Sequence, residues 1–116
     1  MVNEQSKCLS YFLADQGYDV WLGNNRGNKY CRQHNDRHIK APEFWDFSFQ
    51  EMGQFDLPAM VDKITRESQC DALSYVGHSQ GTSQMFASLC SPDTAEYMNS
   101  KVDVFVALAP IVYLVL

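Results

Sequence analysis

The heptapeptide YVGHSQG, residues 75–81, decides how the rest of the chain is read. It places Ser79 between Gly77 and Gly81, directly after a short apolar run, with helix-forming residues following. A strand entering and a helix leaving put the serine on a sharp, strained turn, where the neighbours two positions away must be glycines because a Cβ would collide with the adjoining elements. Gly77 and Gly81 both meet that demand. Such a turn lifts the Ser79 hydroxyl clear of the sheet and aims the amide of Gln80, at the helix N-terminus, to where an oxyanion forms. Ser79 is therefore the candidate nucleophile, Gln80 the candidate backbone oxyanion donor, and Gly77, His78 and Gly81 complete the turn.

Working outward, Ala72–Gly77 is the strand that enters the motif and Thr82–Cys90 the helix that leaves it, with Met85, Phe86 and Leu89 inward and Pro92 stopping it. Upstream, Asp56 before Leu57 and Pro58 reads as a helix start, and Leu57, Met60, Val61 and Ile64 then repeat on one face to about Ser68. Ser48 with Glu51 three residues later forms a capping box, and Phe47 with Met52 a hydrophobic staple. The stretch 24–42 has no apolar period and reads as a long loop. Tyr18–Leu22 is short, β-branched and aromatic, as a strand is. Cys8, Leu9, Phe12 and Leu13 line one face of a helix over Ser6–Gln16, with Gly17 at its left-handed cap. Downstream, Val102–Ala109 is an almost unbroken apolar run, the pattern of a strand covered on both faces. Strands alternating with helices imply an α/β fold with about three parallel strands and helices on both sides.

The totals narrow the partners. A chain of 116 residues with 46% hydrophobic and 20% charged residues is ordinary globular material and holds one small domain at most. Its formal net charge is -5, and no run of Lys or Arg offers a basic stripe, so no nucleic acid partner is expected. The start MVNEQSKCLSYFLADQ is too polar for a signal peptide, and Val104–Leu116, 13 residues, falls short of the roughly 20 that span a bilayer. Cys8, Cys31, Cys70 and Cys90 are scattered without a CxxC pair and read as free thiols. His34 and His38, four apart, sit in loop sequence, so no metal and no other cofactor is expected.

GYDVWLGNNRGN (17–28), EFWDFSFQEMGQFDLPA (43–59), YVGHSQGT (75–82) and ALAP (107–110) together resemble the acid lipase branch of the α/β-hydrolases, which includes gastric and lysosomal lipases and fungal steryl ester hydrolases. The likeness runs from about Leu9 to Pro110. It implies hydrolysis of neutral lipid esters, triacylglycerol or steryl ester, through a serine, histidine and aspartate triad, with Ser79 attacking the acyl carbon. NNRGN is similar to the fungal members, which favours steryl esters and a membrane or lipid-droplet setting over a lysosomal or secreted one.

In α/β-hydrolases the triad follows the order serine, acid, histidine. His34, His38 and His78 all precede Ser79, and the acids that follow it are Asp93, Glu96 and Asp103. Asp93 beside Pro92 marks a helix start, and Asp103 heads a strand, so neither sits where a triad acid belongs. The triad acid and histidine are thus expected to be absent from residues 1–116, and the second oxyanion amide to precede Met1. The expectation is a partial domain, an incomplete α/β-hydrolase fold, associating with a membrane or lipid droplet through parts not present here. The alternative is a catalytically inactive remnant with a lipid-binding or partner-binding role. The apolar end of the chain, with no covering helix, reads as an aggregation liability.

Overall fold

The structure is a computed structural model and describes residues 7–113. The first residue of the helix expected over Ser6–Gln16 and the last three of the apolar C-terminal run lie outside the described residues.

The chain runs α1 (Leu9–Asp15), α2 (Ala41–Phe44), α3 (Phe49–Glu51), a π-helical turn (Met52–Asp56), α4 (Leu57–Ser68), β1 (Leu73–His78), α5 (Gln80–Cys90), α6 (Ala95–Lys101) and β2 (Val102–Leu108). α1 ends as its sequence predicts: Gly17 at φ +90° lets its own amide reach Ala14 and the Tyr18 amide reach Leu13, a Schellman closure that only a residue at ease with positive φ makes cheaply. At α3 the capping box is formed in both directions. The Ser48 hydroxyl accepts from the Gln50 amide at 3.1 Å, and the Glu51 carboxylate accepts the Ser48 amide at 2.7 Å and hydroxyl at 2.8 Å.

Asp56 corrects the reading of the next element. It is no N-cap: α3, the π-turn and α4 form one continuous helical stretch from Phe49 to Ser68. Pro58 has no N–H for the carbonyl four residues back, and the wider π-turn just before it absorbs that missing bond, closing with Leu57 N–H on Met52 O. The Asp56 carboxylate is instead taken by Arg26, which donates its backbone amide at 2.9 Å and Nε at 2.7 Å, with a guanidinium nitrogen at 2.6 Å.

β1 and β2 pair in parallel, from Leu73 opposite Val102 to His78 opposite Leu108, with one irregularity that leaves Asp103 unmatched. α5 and α6 make the crossover between them. Tyr18–Leu22, expected as a third strand, is not in the sheet, which has two strands among the described residues; Tyr18 and Leu22 are about two-thirds exposed. Its β-favouring residues find no partner edge to bond, and β propensity without a partner does not make a strand. α6 is the helix whose start Pro92 and Asp93 mark in the sequence. Its first amides are served by the Ser91 and Thr94 carbonyls.

Leu57, Val61, Met85 and Met98 form the fully buried core, with Leu73, Tyr75, Leu89, Val102 and Phe105 packed against it. α4, α5 and α6 thus cover one face of the sheet. The other face carries Val76, Val104, Val106 and Leu108, each 39–51% exposed. The expectation of a β2 covered on both faces, with helices on both sides of the sheet, is therefore met on one side only among the described residues.

Candidate active site

Ser79 occupies the turn between β1 and α5 at φ 52°, ψ -117°. A non-glycine residue there costs on the order of 1–3 kcal/mol and persists only where surrounding bonds fix it. They do: the Ser79 amide donates to Leu108 O at 3.0 Å, extending the strand pairing by one residue. Its carbonyl accepts the Thr82 amide at 2.8 Å and the Thr82 hydroxyl at 2.6 Å. Thr82 is fully buried, and its oxygen also accepts the Ile111 amide at 3.0 Å, so one hydroxyl ties the turn to the segment leaving β2. Ser83 holds the same segment through the Ile111 carbonyl at 3.1 Å.

The two glycines play unequal parts. A Cβ on Gly77 would lie 2.7 Å from Gly81 O and 2.9 Å from Gly81 C, a backbone clash that nothing flexible can relieve. A Cβ on Gly81 would meet only the Tyr75 hydroxyl at 3.5 Å, an ordinary contact. The steric demand read for both positions therefore holds at Gly77 alone. Gln80 is the first residue of α5, so its amide has no intrahelical acceptor. Ser79 is half-buried, and its hydroxyl has no hydrogen-bond partner among the described residues.

A polar chain missed in the sequence supports this turn from beneath. Tyr75 donates to Gly81 O at 2.9 Å, the buried Gln84 amide donates to the Tyr75 oxygen at 2.8 Å, and Asn25 donates to Gln84 Oε1 at 2.7 Å. Burial pushes the Tyr75 phenol above its ordinary value, against a smaller opposing effect of the Gln84 amide, so it stays a neutral donor. Asn25 also reaches the Met52 sulfur at 3.5 Å, and the Gln80 side chain reaches the same sulfur at 3.7 Å. Gly53, in the π-turn, allows the close approach to α5: a Cβ there would stand 2.4 Å from Gln84 O. The NNRGN loop, the π-turn and α5 thus form one support. Only its polar residues in a loop without apolar period hinted at this.

The other candidates fall elsewhere. His78 sits on the exposed face of β1 with Ser74 and Val76. His34 and His38 lie in the exposed loop, where His34 Nδ1 accepts the Asp36 amide and the His38 amide donates to Asp36. Asp93 accepts from Gln54, and Glu96 lies in the first turn of α6. Asp103 stands at the amino end of the sheet, while Ser79 follows its carboxyl end, about 16 Å away by strand rise. None of these acids or histidines hydrogen-bonds Ser79.

A strand, a strained serine and a helix in this order invite comparison with known proteins. The sequence pattern of the alpha/beta hydrolase fold matches residues 2–113. The chain is 50% identical over 110 residues to the Schizosaccharomyces pombe protein named "Probable lipase C16A3.12c", covering 94% of this chain and 24% of that one. It is 48% identical over 110 residues to the gastric triacylglycerol lipase of Bos taurus, again 94% of this chain and 27% of the relative. Lipase member K of Homo sapiens is 45% identical over 111 residues, 95% and 27%. The chain spans about a quarter of the length of these relatives, and over that span it belongs to the α/β-hydrolase fold family, in a stretch shared with lipases.

Proposed function

We propose that residues 1–116 are the nucleophile-bearing part of a serine ester hydrolase acting on neutral lipids. The observation that carries the reading is the backbone of Ser79, a non-glycine residue held at φ 52° between a parallel strand and a helix start. In this reading Ser79 Oγ attacks the ester carbonyl and its proton passes to a histidine base. The tetrahedral oxyanion is held by Gln80 N–H and a second amide, and collapse expels the alcohol. Water then releases the acid from Ser79. Gly77 keeps the turn tight, while His78 and Gly81 complete it without touching the reacting atoms.

The base, the acid and the second oxyanion amide belong, in this proposal, to sequence outside residues 1–116, which form part of one hydrolase domain. No histidine follows Ser79 within these residues, and the acids after it are placed away from the turn. Triacylglycerol is supported as substrate by the name of the 48% identical bovine relative, steryl ester by the NNRGN loop. Assaying both esters separates them. In a polypeptide of lipase length containing this chain, Ser79→Ala is expected to abolish ester hydrolysis, by at least about 10³-fold. Retained hydrolysis would overturn the assignment.

A second reading follows from the same missing base: the 116 residues act without turnover, as a lipid-binding or partner-binding piece. The isolated chain then shows no ester hydrolysis above the solvent rate. Turnover by the isolated chain that disappears on Ser79→Ala would exclude this second reading.

A further inference from the structure

The loop between α1 and α2 has a charge opposite to that of the rest of the molecule. Five of the nine Lys and Arg residues, and one of the fourteen acids, fall in residues 26–40, so this segment carries +4 and the remaining residues -9. The basic residues are three to five positions apart, which is why no run of them marks the sequence. Folding brings two of them to one cavity. Arg32, Arg37 and His34 line a shallow cavity of about 370 Å³ together with Ile39, Phe44 and Trp45. Asp36 also borders it, but its carboxylate accepts the His38 amide at 2.8 Å. Arg26 is spent on Asp56, whereas Arg32 and Arg37 are exposed and have no ion-pair partner among the described residues. Lys29 lies over the Tyr30 ring, and Lys40 precedes α2, where Glu43 accepts its backbone amide at 3.4 Å. Trp45 is 50% exposed and Tyr30 72% exposed.

We infer that this loop is a docking surface for an anionic phospholipid membrane, with Arg32 and Arg37 meeting the headgroups and Trp45 entering the interface. Charge complementarity selects the partner. Glu43 and Asp46 beside Trp45 lower the charge over residues 26–46 to +2, and acids more than about 8–10 Å from the surface are screened at physiological salt, so a net attraction remains. Exposed indole and phenol rings beside the cations suit a boundary that is apolar on one side and wet on the other. The root of the loop is bonded to α5, the helix that follows Ser79, through Asn25 and Gln84. Binding is read without turnover, so the failure of this inference and the failure of the Ser79 assignment are separate results.

The test uses the full chain carrying Trp21→Phe, which leaves Trp45 as its one tryptophan. It is mixed at low salt with phosphatidylcholine vesicles, with and without phosphatidylglycerol. The expected result is co-sedimentation and a blue-shifted Trp45 emission with the anionic vesicles only, both lost at high salt. Each basic residue at such a surface contributes roughly five-fold to partitioning, so Arg32→Glu/Arg37→Glu should weaken binding by more than about 25-fold. Equal binding by that variant, folded by circular dichroism, would overturn the proposal. So would equal binding to zwitterionic vesicles, no binding of the folded parent, or tighter binding to duplex RNA than to anionic vesicles.

Discussion

At the scale of single residues, the account rests on a serine held where serines rarely go. Ser79 is fixed by three backbone-directed bonds, two of them from Thr82, and by the absence of a side chain at Gly77. Gly77→Ala is therefore expected to destabilise by about 2 kcal/mol or more, read from urea unfolding, because the new Cβ meets backbone. Gly81→Ala, with its one contact at 3.5 Å, should stay within about 1 kcal/mol of the parent. Equal losses at the two positions would show that the turn is not as described. Tyr75→Phe leaves the buried Gln84 amide without its acceptor and should cost about 1–3 kcal/mol, part of which returns when Gln84→Met is added. Ser79 and Gly77 were legible in the sequence because their constraint is local. Gly81 was over-read, since the side on which helix α5 leaves room is not written in the spacing. Asn25 and Gln84, 59 residues apart, were not legible as a pair, because only the fold brings them together.

At the scale of elements, local signals succeeded where the partner was also local. The Ser48–Glu51 box formed as read, and so did the Gly17 cap. Asp56 had the look of a cap but serves Arg26, 30 residues away, and a chain reader cannot see that competitor. Tyr18–Leu22 has strand composition without a strand edge beside it. The box also makes a pH prediction. The Ser48 amide, then its hydroxyl, hold the Glu51 carboxyl below its ordinary value, so the folded state favours the ionised form. That contribution is present above the ordinary carboxylate range and is lost as pH falls through the lowered folded value. Glu51→Gln should flatten the acid limb of a stability-versus-pH curve and leave the neutral region's slope unchanged. Tyr97 works in the opposite sense. Burial, then its bond to the Asp62 carboxylate, raise its phenol to about 12, so its contribution is complete below about pH 10 and lost between there and about 12. Tyr97→Phe is expected to remove that part of the alkaline unfolding, followed by far-UV circular dichroism.

At the scale of the whole molecule, the sheet is half-dressed: α4, α5 and α6 cover one face, and Val76, Val104, Val106 and Leu108 remain exposed on the other. The alternation of exposure along β2 is the pattern of a one-sided sheet, yet its sequence is apolar at nearly every position and reads as two-sided. An apolar strand face in water favours self-association. Val104→Lys/Val106→Lys should lower light scattering of the isolated chain and leave its unfolding midpoint nearly unchanged, because both side chains already face solvent. Unaltered scattering would place the association elsewhere. The succession α4, β1, α5 and β2, the lipase likeness and the serine turn were legible before the structure, whereas the strand read at Tyr18–Leu22 is not in the sheet. The layering was not legible, because covering a face depends on residues distant in sequence. The claim on which all scales depend is that the turn at position 79 presents a nucleophile. Its most direct measurement is treatment of a lipase-length polypeptide containing this chain with a fluorophosphonate, followed by peptide mass spectrometry. The account predicts a single phosphonyl adduct on Ser79 that vanishes in Ser79→Ala; an adduct on another residue, or one that persists in that variant, would contradict it.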